Sequence, residues 1–248
     1  MKTKKTIKGT CRICKQEKEL SFEHIPPKSA FNKNNRFYTI SSIDYYQNFE
    51  QYKNEKPNLK IEQGGLGEYC LCVNCNGFLG QMYVREYKKF SHIAMSILNK
   101  YEDNYVKSFE FDISDINLLK FLKQITSIFV CSNQPAFTNS YPELIDFIKK
   151  PELESLPDKY RFYMYLNNEG HIKNGKFHYT NIHGMVCEFV YPPFGFVLNI
   201  DNPNRIMEVT EITNFKHYNK IDKTRKLPII LNKYITHYPF PLDFRQKG

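Results

Sequence analysis

Two Cys-x-x-Cys pairs, Cys11/Cys14 and Cys72/Cys75, constrain this 248-residue chain more than any other feature. Thiolates at that spacing bite a single ion, so pairs separated by roughly sixty residues can close one tetrahedral zinc site. A structural zinc contributes on the order of 10 kcal/mol or more of folding free energy. A small subdomain interrupted by an insertion can hold its shape on that basis. The chain has seven cysteines. Cys70 would share a strand face with Cys72, but the spacing of Cys72 to Cys75 mirrors that of Cys11 to Cys14, which favours Cys72 as the ligand. Cys131 and Cys187 lie in apolar stretches and read as core residues. The competing reading is two unrelated buried or redox pairs.

The bulk numbers narrow the setting. A chain of this length buries a sizeable core and sits near the upper limit for one domain. Hydrophobic residues make up 41% and charged residues 25%, which is ordinary for a soluble globular protein. No apolar run approaches the ~20 residues that cross a bilayer. The basic start, Met-Lys-Thr-Lys-Lys, has no apolar segment behind it. A cytoplasmic location without membrane contact is expected, and with it reduced thiols rather than a disulfide framework. The net charge of +9 favours an anionic partner, of which nucleic acid is the commonest.

Local signals organise the chain. Pro26 and Pro27 block a helix directly after His24, so Glu23 and His24 should end an extended strand. From about Asn32 to Gly67 the chain is polar and aperiodic, and reads as an insertion with a short helix near 43–52. Gly64-Gly-Leu-Gly67 signals a turn. Apolar residues from Phe78 to Ile97 recur at helical spacing and predict one helix over about 76–99. Beyond it, 106–111 alternates like a strand. A helical stripe covers 115–130 with Ser114 as its N-cap. A short helix is expected over 142–149, and strands over 161–166, 177–180, 186–191 and 194–200. The fold class is α+β. The division expected is a zinc-stabilised unit over 1–104 and an α+β region over 105–248 that carries no catalytic spacing.

The chemistry gathers around the knuckle. Once an ion joins the two cysteine pairs, the strand carrying Glu23 and His24 lies beside the helix start carrying Asn76. A carboxylate and an amide oxygen are hard ligands suited to Mg²⁺ or Mn²⁺. A neutral histidine next to them can take a proton from water, and phosphodiester hydrolysis needs both a Lewis acid and such a base. The plainer alternatives are a surface carboxylate for Glu23 and a helix cap for Asn76. His92, His171, His178, His183, His217 and His237 read as structural or solvated. Lys2, Lys4, Lys5 and Lys8 suggest either a phosphate-touching arm or a solvated tail. Tyr45, Tyr46 and Tyr52 are the best stacking candidates among eighteen tyrosines.

Cys11-x-x-Cys14, then Glu23-His24-Ile25-Pro26-Pro27, then Cys72-x-x-Cys75-Asn76 resembles the zinc-containing branch of the HNH (ββα-metal) endonuclease superfamily. It is also similar to phage Holliday-junction resolvases of the endonuclease VII type. Gly65 to Asn76, with Gly80 and Tyr83 after it, and Tyr191 to Leu198 resemble segments of bacterial HNH-like proteins. The resemblance implies a ββα-metal nuclease motif and cleavage of DNA. It implies His24 as general base, Glu23 and Asn76 as ligands of a catalytic Mg²⁺ or Mn²⁺, and Cys11, Cys14, Cys72 and Cys75 as ligands of a structural Zn²⁺. A homodimer is a family-based expectation. This chain departs from the pattern in three places. Glu replaces the commoner Asp, the insertion is long, and no histidine follows Asn76 where the last one of the pattern stands. Glu86 lies near that position and is a candidate third ligand. A non-catalytic zinc-ribbon protein that binds nucleic acid is the alternative, and a protein-interaction module is a third class.

Overall fold

The computed structural model describes residues 7–33, 36–40, 44, 47–101, 108–167, 173–174, 177–180, 184–202, 206, 209–219 and 227–233. The strands of the first half are β1 (Ile7–Thr10), β2 (Glu17–His24), β3 (Arg36–Thr39), β4 (Lys60–Gln63) and β5 (Gly67–Cys72). Its helices are α1 (Phe49–Tyr52), α2 (Val73–Met82) and α3 (Val84–Lys100). Then come β6 (Ser108–Ile113), α4 (Leu118–Ser132), α5 (Pro135–Ser140), α6 (Pro142–Lys149) and the strands β7 (Tyr160–Leu166), β8 (Lys173–Asn174) and β9 (His178–Thr180). The chain continues through β10 (Gly184–Tyr191), β11 (Phe194–Ile200), β12 (Thr210–Glu211) and β13 (Leu227–Asn232). Sheet and helix are mixed in the α+β manner expected. The boundary expected at 104/105 falls outside the described residues, as do Lys2, Lys4, Lys5, Tyr45 and Tyr46.

Two sheets matter for the site. The smaller is antiparallel in the order β1-β2-β5, with β5 running straight into α2. The larger has the order β12-β7-β11-β10-β8, with β9 also on β10. Its strands β7, β10 and β11 are buried along almost their full length, because α3, α4 and α6 add to one buried cluster with one face while Ile206 and Val209 pack on the other. Aromatic rings fill the helix side. Tyr87 of α3 stacks on Phe121 of α4 at 5.6 Å, and Phe90 meets Phe194 of β11 edge-on at 5.3 Å. Such offset and edge contacts add stabilisation beyond the area they bury. That cluster extends from Cys11 to Leu231, so the cysteine-bearing sheet and the later region share one core.

The local expectations fare unevenly, for identifiable reasons. Glu23 and His24 do end a strand. Gly64 and Gly65 take φ of 98° and 108°, the left-handed region that the turn signal implied. The short helix near 43–52 reduces, among described residues, to a helix over Phe49–Tyr52 and isolated helical positions before it. The single helix over 76–99 is instead two, broken at Tyr83, whose φ of −125° leaves the helical region. Tyr83 is fully buried, and its hydroxyl donates to the Ile148 carbonyl of α6. Tertiary anchoring outweighs helical periodicity there. α4 starts at Leu118 with Asn117 as its cap, not at 115 with Ser114. The Asn117 side chain accepts from the Lys120 amide at 2.9 Å, while Asp115 turns the chain with φ of 56°. No helix among the described residues is long and apolar enough to cross a membrane.

Lys123 shows how α4 is locked in place. Its side chain is wholly buried, yet its ammonium donates to three carbonyls: Phe147 at 2.5 Å, Lys150 at 3.0 Å and Leu153 at 2.8 Å. These lie at and just beyond the C-terminal end of α6, where a cation complements the helix dipole. Burial pulls the ammonium down to about 7, and Glu152 and Glu154 oppose that pull. We predict that Lys123→Met leaves these carbonyls without their donor and costs on the order of 3 kcal/mol. The urea midpoint should fall with the slope unchanged, and an unaltered midpoint would show that water replaces the ammonium.

Candidate active site and metal centre

The first cysteine pair occupies the turn between β1 and β2. That turn is closed by the Cys11 amide donating to Gln16 at 3.0 Å and the Lys15 amide donating to Cys11 at 2.9 Å. Lys15 sits at φ 62° so that the chain can reverse. The second pair lies where β5 becomes α2, with Cys72 as the N-cap residue and Cys75 in the first turn. Leu20 of β2 pairs with Cys72 of β5, and this register brings the two turns to the same end of the sheet. All four sulfurs lie within 4.8 Å of one another, and Cys14 and Cys72 are 3.9 Å apart. A tetrahedral thiolate site with metal–sulfur bonds of about 2.3 Å needs sulfurs roughly 3.8 Å apart.

The electrostatics agree with the geometry. Burial, then the neighbouring sulfurs of Cys11 and Cys72, push the Cys75 thiol well above its ordinary range. Four thiolates this close repel one another unless a cation lies among them. These four cysteines could therefore hold a metal ion. Cys70 is not in the group, as its spacing anticipated. Cys131 and Cys187 are buried in the core.

Arg12, within the first pair, ties this centre to the rest of the molecule. It is almost fully buried and grips Glu68 of β5 with both guanidinium nitrogens, at 2.8 and 3.0 Å. It also donates to the Cys131 carbonyl in the last turn of α4. Paired Arg–carboxylate bonds of this kind fix orientation as well as energy. Neither Arg12 nor Glu68 carries a motif signal. Their pairing follows from the fold, in which the Arg12 amide donates to the Cys70 carbonyl of β5 at 3.0 Å.

His24 ends β2 beside a loop held by Asn32. The fully buried Asn32 amide donates to Pro26 and Leu66 carbonyls, both at 2.7 Å, and its oxygen accepts from the Leu66 amide at 2.7 Å. Tyr191 of β10 adds a fourth bond to that oxygen at 3.3 Å, so the amide is saturated. The His24 Nε2–H donates to the Gly64 carbonyl at 3.2 Å, which leaves Nδ1 as the nitrogen with a free lone pair. Burial lowers the imidazole's proton affinity, Lys28 lowers it further, and the Gly64 carbonyl opposes both. The ring is therefore neutral at neutral pH.

Asn76 reaches the same strand. Its amide nitrogen donates to Ser21 Oγ at 3.1 Å and to the Phe22 carbonyl at 3.2 Å, two residues before His24. With both amide protons engaged, the side-chain oxygen remains as a hard donor. Asn76 is not the cap of α2, a position that Cys72 takes. Glu23 leaves the strand on the side away from His24, as neighbours on a strand do. The His24 ring lies 5.0 Å from Phe22, whereas Glu23 is 8% exposed and interacts with Cys131. Burial pushes the Glu23 carboxyl up to about 7. Glu86 is also buried, but it accepts from the Asn117 amide at 3.1 Å and so serves the start of α4. The candidate third ligand thus has one carboxylate oxygen engaged at the start of α4.

Two outcomes are expected. Cys72→Ser should lower bound metal, read by atomic emission, and lower the melting temperature by on the order of 10 °C. Full retention of both would leave the four thiols as packing residues. Glu23 gives a pH signature. Below its ordinary value of 4.5 the carboxyl is protonated whether the chain is folded or not. Between 4.5 and about 7 only the folded form holds the proton, so stability falls as pH rises through that window and levels off above it. At about 1.4 kcal/mol per unit, the loss is on the order of 3 kcal/mol. Glu23→Gln should flatten that slope in metal-free buffer, and a slope unchanged by the substitution would place the titrating group elsewhere.

No family model, curated protein or solved structure matches this chain.

Proposed function

We propose that this protein is a metal-dependent endonuclease that hydrolyses phosphodiester bonds in DNA. The observation that carries the reading is the bond from Asn76 to β2 next to His24. A helix start with a free amide oxygen is bonded to β2 two residues before a neutral imidazole, and the four-cysteine cluster includes two residues of that same helix start. An antiparallel strand pair, β2 and β5, followed at once by α2 is also the element order that a ββα-metal motif requires.

In this reading Cys11, Cys14, Cys72 and Cys75 hold a structural Zn²⁺, for which four soft sulfur donors in a tetrahedron are suited. The Asn76 oxygen would be one ligand of a catalytic Mg²⁺ or Mn²⁺, and Glu23 would be the second only by turning out from the buried face on which it lies. When bound, such an ion supplies positive charge to the scissile phosphate and its leaving oxygen. His24 takes the proton of the attacking water on Nδ1. The Gly64 carbonyl fixes its tautomer, and the depressed proton affinity keeps it ready at neutral pH. Lys28, close enough to disfavour the protonated ring, is placed to meet a phosphate. The basic charge of the chain favours a nucleic-acid partner in the same way.

One observation favours a second reading, a non-catalytic zinc-ribbon protein that binds nucleic acid. The Glu23 carboxyl is desolvated behind the strand, and among the described residues no cation offsets the rise in its proton affinity. Metal dependence separates the two. Plasmid and short branched DNA should be cut in Mg²⁺ or Mn²⁺ and not in EDTA. His24→Ala should abolish cutting by at least a hundredfold, the scale of general-base catalysis, with zinc content and melting temperature unchanged. The rate should rise as pH passes an inflection below the ordinary histidine value, because His24 is the base in its unprotonated form. Absence of cutting by a folded, zinc-loaded, DNA-binding protein would transfer the assignment to the second reading.

A further inference from the structure

The outward face of the β2–β5 pair is aromatic where a soluble strand pair is normally polar. Phe22 is 37% exposed and Tyr69 44% exposed, and they stand directly opposite one another in the register. Their rings meet edge to face at 5.4 Å, and Phe22 meets the His24 ring in the same manner at 5.0 Å. The three rings form a continuous row that ends at His24. Gly67, opposite His24, makes room for it. A side chain there would meet the Phe22 ring at 2.7 Å and the Glu23 carbonyl at 2.2 Å.

Charge sorts itself across the same strands. Glu23 and Glu68 are paired in register, and both leave by the opposite face, where Arg12 neutralises Glu68 and Glu23 lies near Cys131. The aromatic row is left with no carboxylate from this stretch of either strand and with Lys28 beyond its histidine end. Exposed rings next to a cation, on a chain of net charge +9, complement a ligand that is flat, apolar on its faces and anionic along its backbone.

We propose that Phe22 and Tyr69 form a stacking platform for unpaired bases, so that the DNA strand presented to His24 is single-stranded at the point of contact. This rests on the reading of the His24 face as a nuclease site. Bases inside a duplex have their faces covered by their neighbours and cannot lie on the rings. An unpaired segment, a gap or a branch point can. A cross-strand aromatic pair also stabilises a sheet without any ligand, and the test must separate that role from stacking.

The chain contains no tryptophan, so Tyr69→Trp places a single fluorescent reporter on the platform. In the full-length His24→Ala protein without added Mg²⁺ or Mn²⁺, oligo(dT) should quench that fluorescence, and a blunt duplex of equal length should not. Tyr69→Ala should weaken oligo(dT) binding about tenfold while leaving duplex binding within about twofold, and Tyr69→Trp should retain it. Melting temperatures of the variants report any purely structural loss. Equal weakening on both DNAs, or oligo(dT) binding without quenching, would overturn the platform. Persistent metal-dependent plasmid cutting alongside that result would leave the nuclease reading standing. Absence of binding to either DNA, together with absence of cutting, would remove both.

Discussion

Four sulfurs within 4.8 Å of one another are the constraint on which this molecule turns. Thiols from two turns far apart in sequence do not gather for their own sake. Burial and mutual repulsion both push the Cys75 thiol toward its protonated form. A bound cation would reverse that sign, and the register that pairs Leu20 of β2 with Cys72 of β5 brings the two cysteine turns together. Asn76, which directly follows Cys75, then lies within reach of the Phe22 carbonyl. Asn32 meanwhile ties the chain at Pro26 to the chain at Leu66, which holds the end of β2 against the start of β5.

Rigidity comes from polar groups as much as from the aromatic core. Arg12 bridges Glu68 and the end of α4, Lys123 bridges α4 and α6, and Glu86 bridges α3 and the start of α4. Each is a buried charged group matched to a helix terminus or an opposite charge, where an unpaired one would be strongly destabilising. The β2–β5 sheet is thereby fastened at its back to α4, and α4 in turn packs on the large sheet through Phe121 and Phe129. The front of the strand pair, carrying Phe22, His24 and Tyr69, is left open to solvent.

This division between back and front bears on the chemistry. Adjacent residues on a strand face opposite ways, so Glu23 and His24 differ sharply in surroundings despite being neighbours. One is a desolvated carboxyl with a raised proton affinity, the other a half-exposed imidazole with a lowered one. A site that uses both must bring an ion to the strand's end, where the alternation ceases at Pro26. The imidazole's fixed tautomer and the anchored amide of Asn76 are independent of that question and are already in place.

Local rules in the sequence determined a good deal. Paired cysteine spacing named the four members of the cluster, Pro26 and Pro27 ended β2, and local patterning located α3, α4 and four strands of the large sheet, β7, β9, β10 and β11, but not the two-residue strands β8 and β12. These are matters of spacing along the chain, which sequence carries directly. Tertiary structure decided the rest, because it depended on contacts between residues far apart. Tyr83 breaks a helix that its periodicity would continue, since its hydroxyl has a partner on α6. Asn117 rather than Ser114 caps α4, since Asp115 turns the chain and Glu86 meets the Asn117 amide. Arg12, Glu68 and Asn32 carry no motif, yet they hold the knuckle and the His24 loop in place. Which face of β2 receives Glu23 and which receives His24 followed from the β2–β5 register and from what packs behind it, and only the folded chain contains that information.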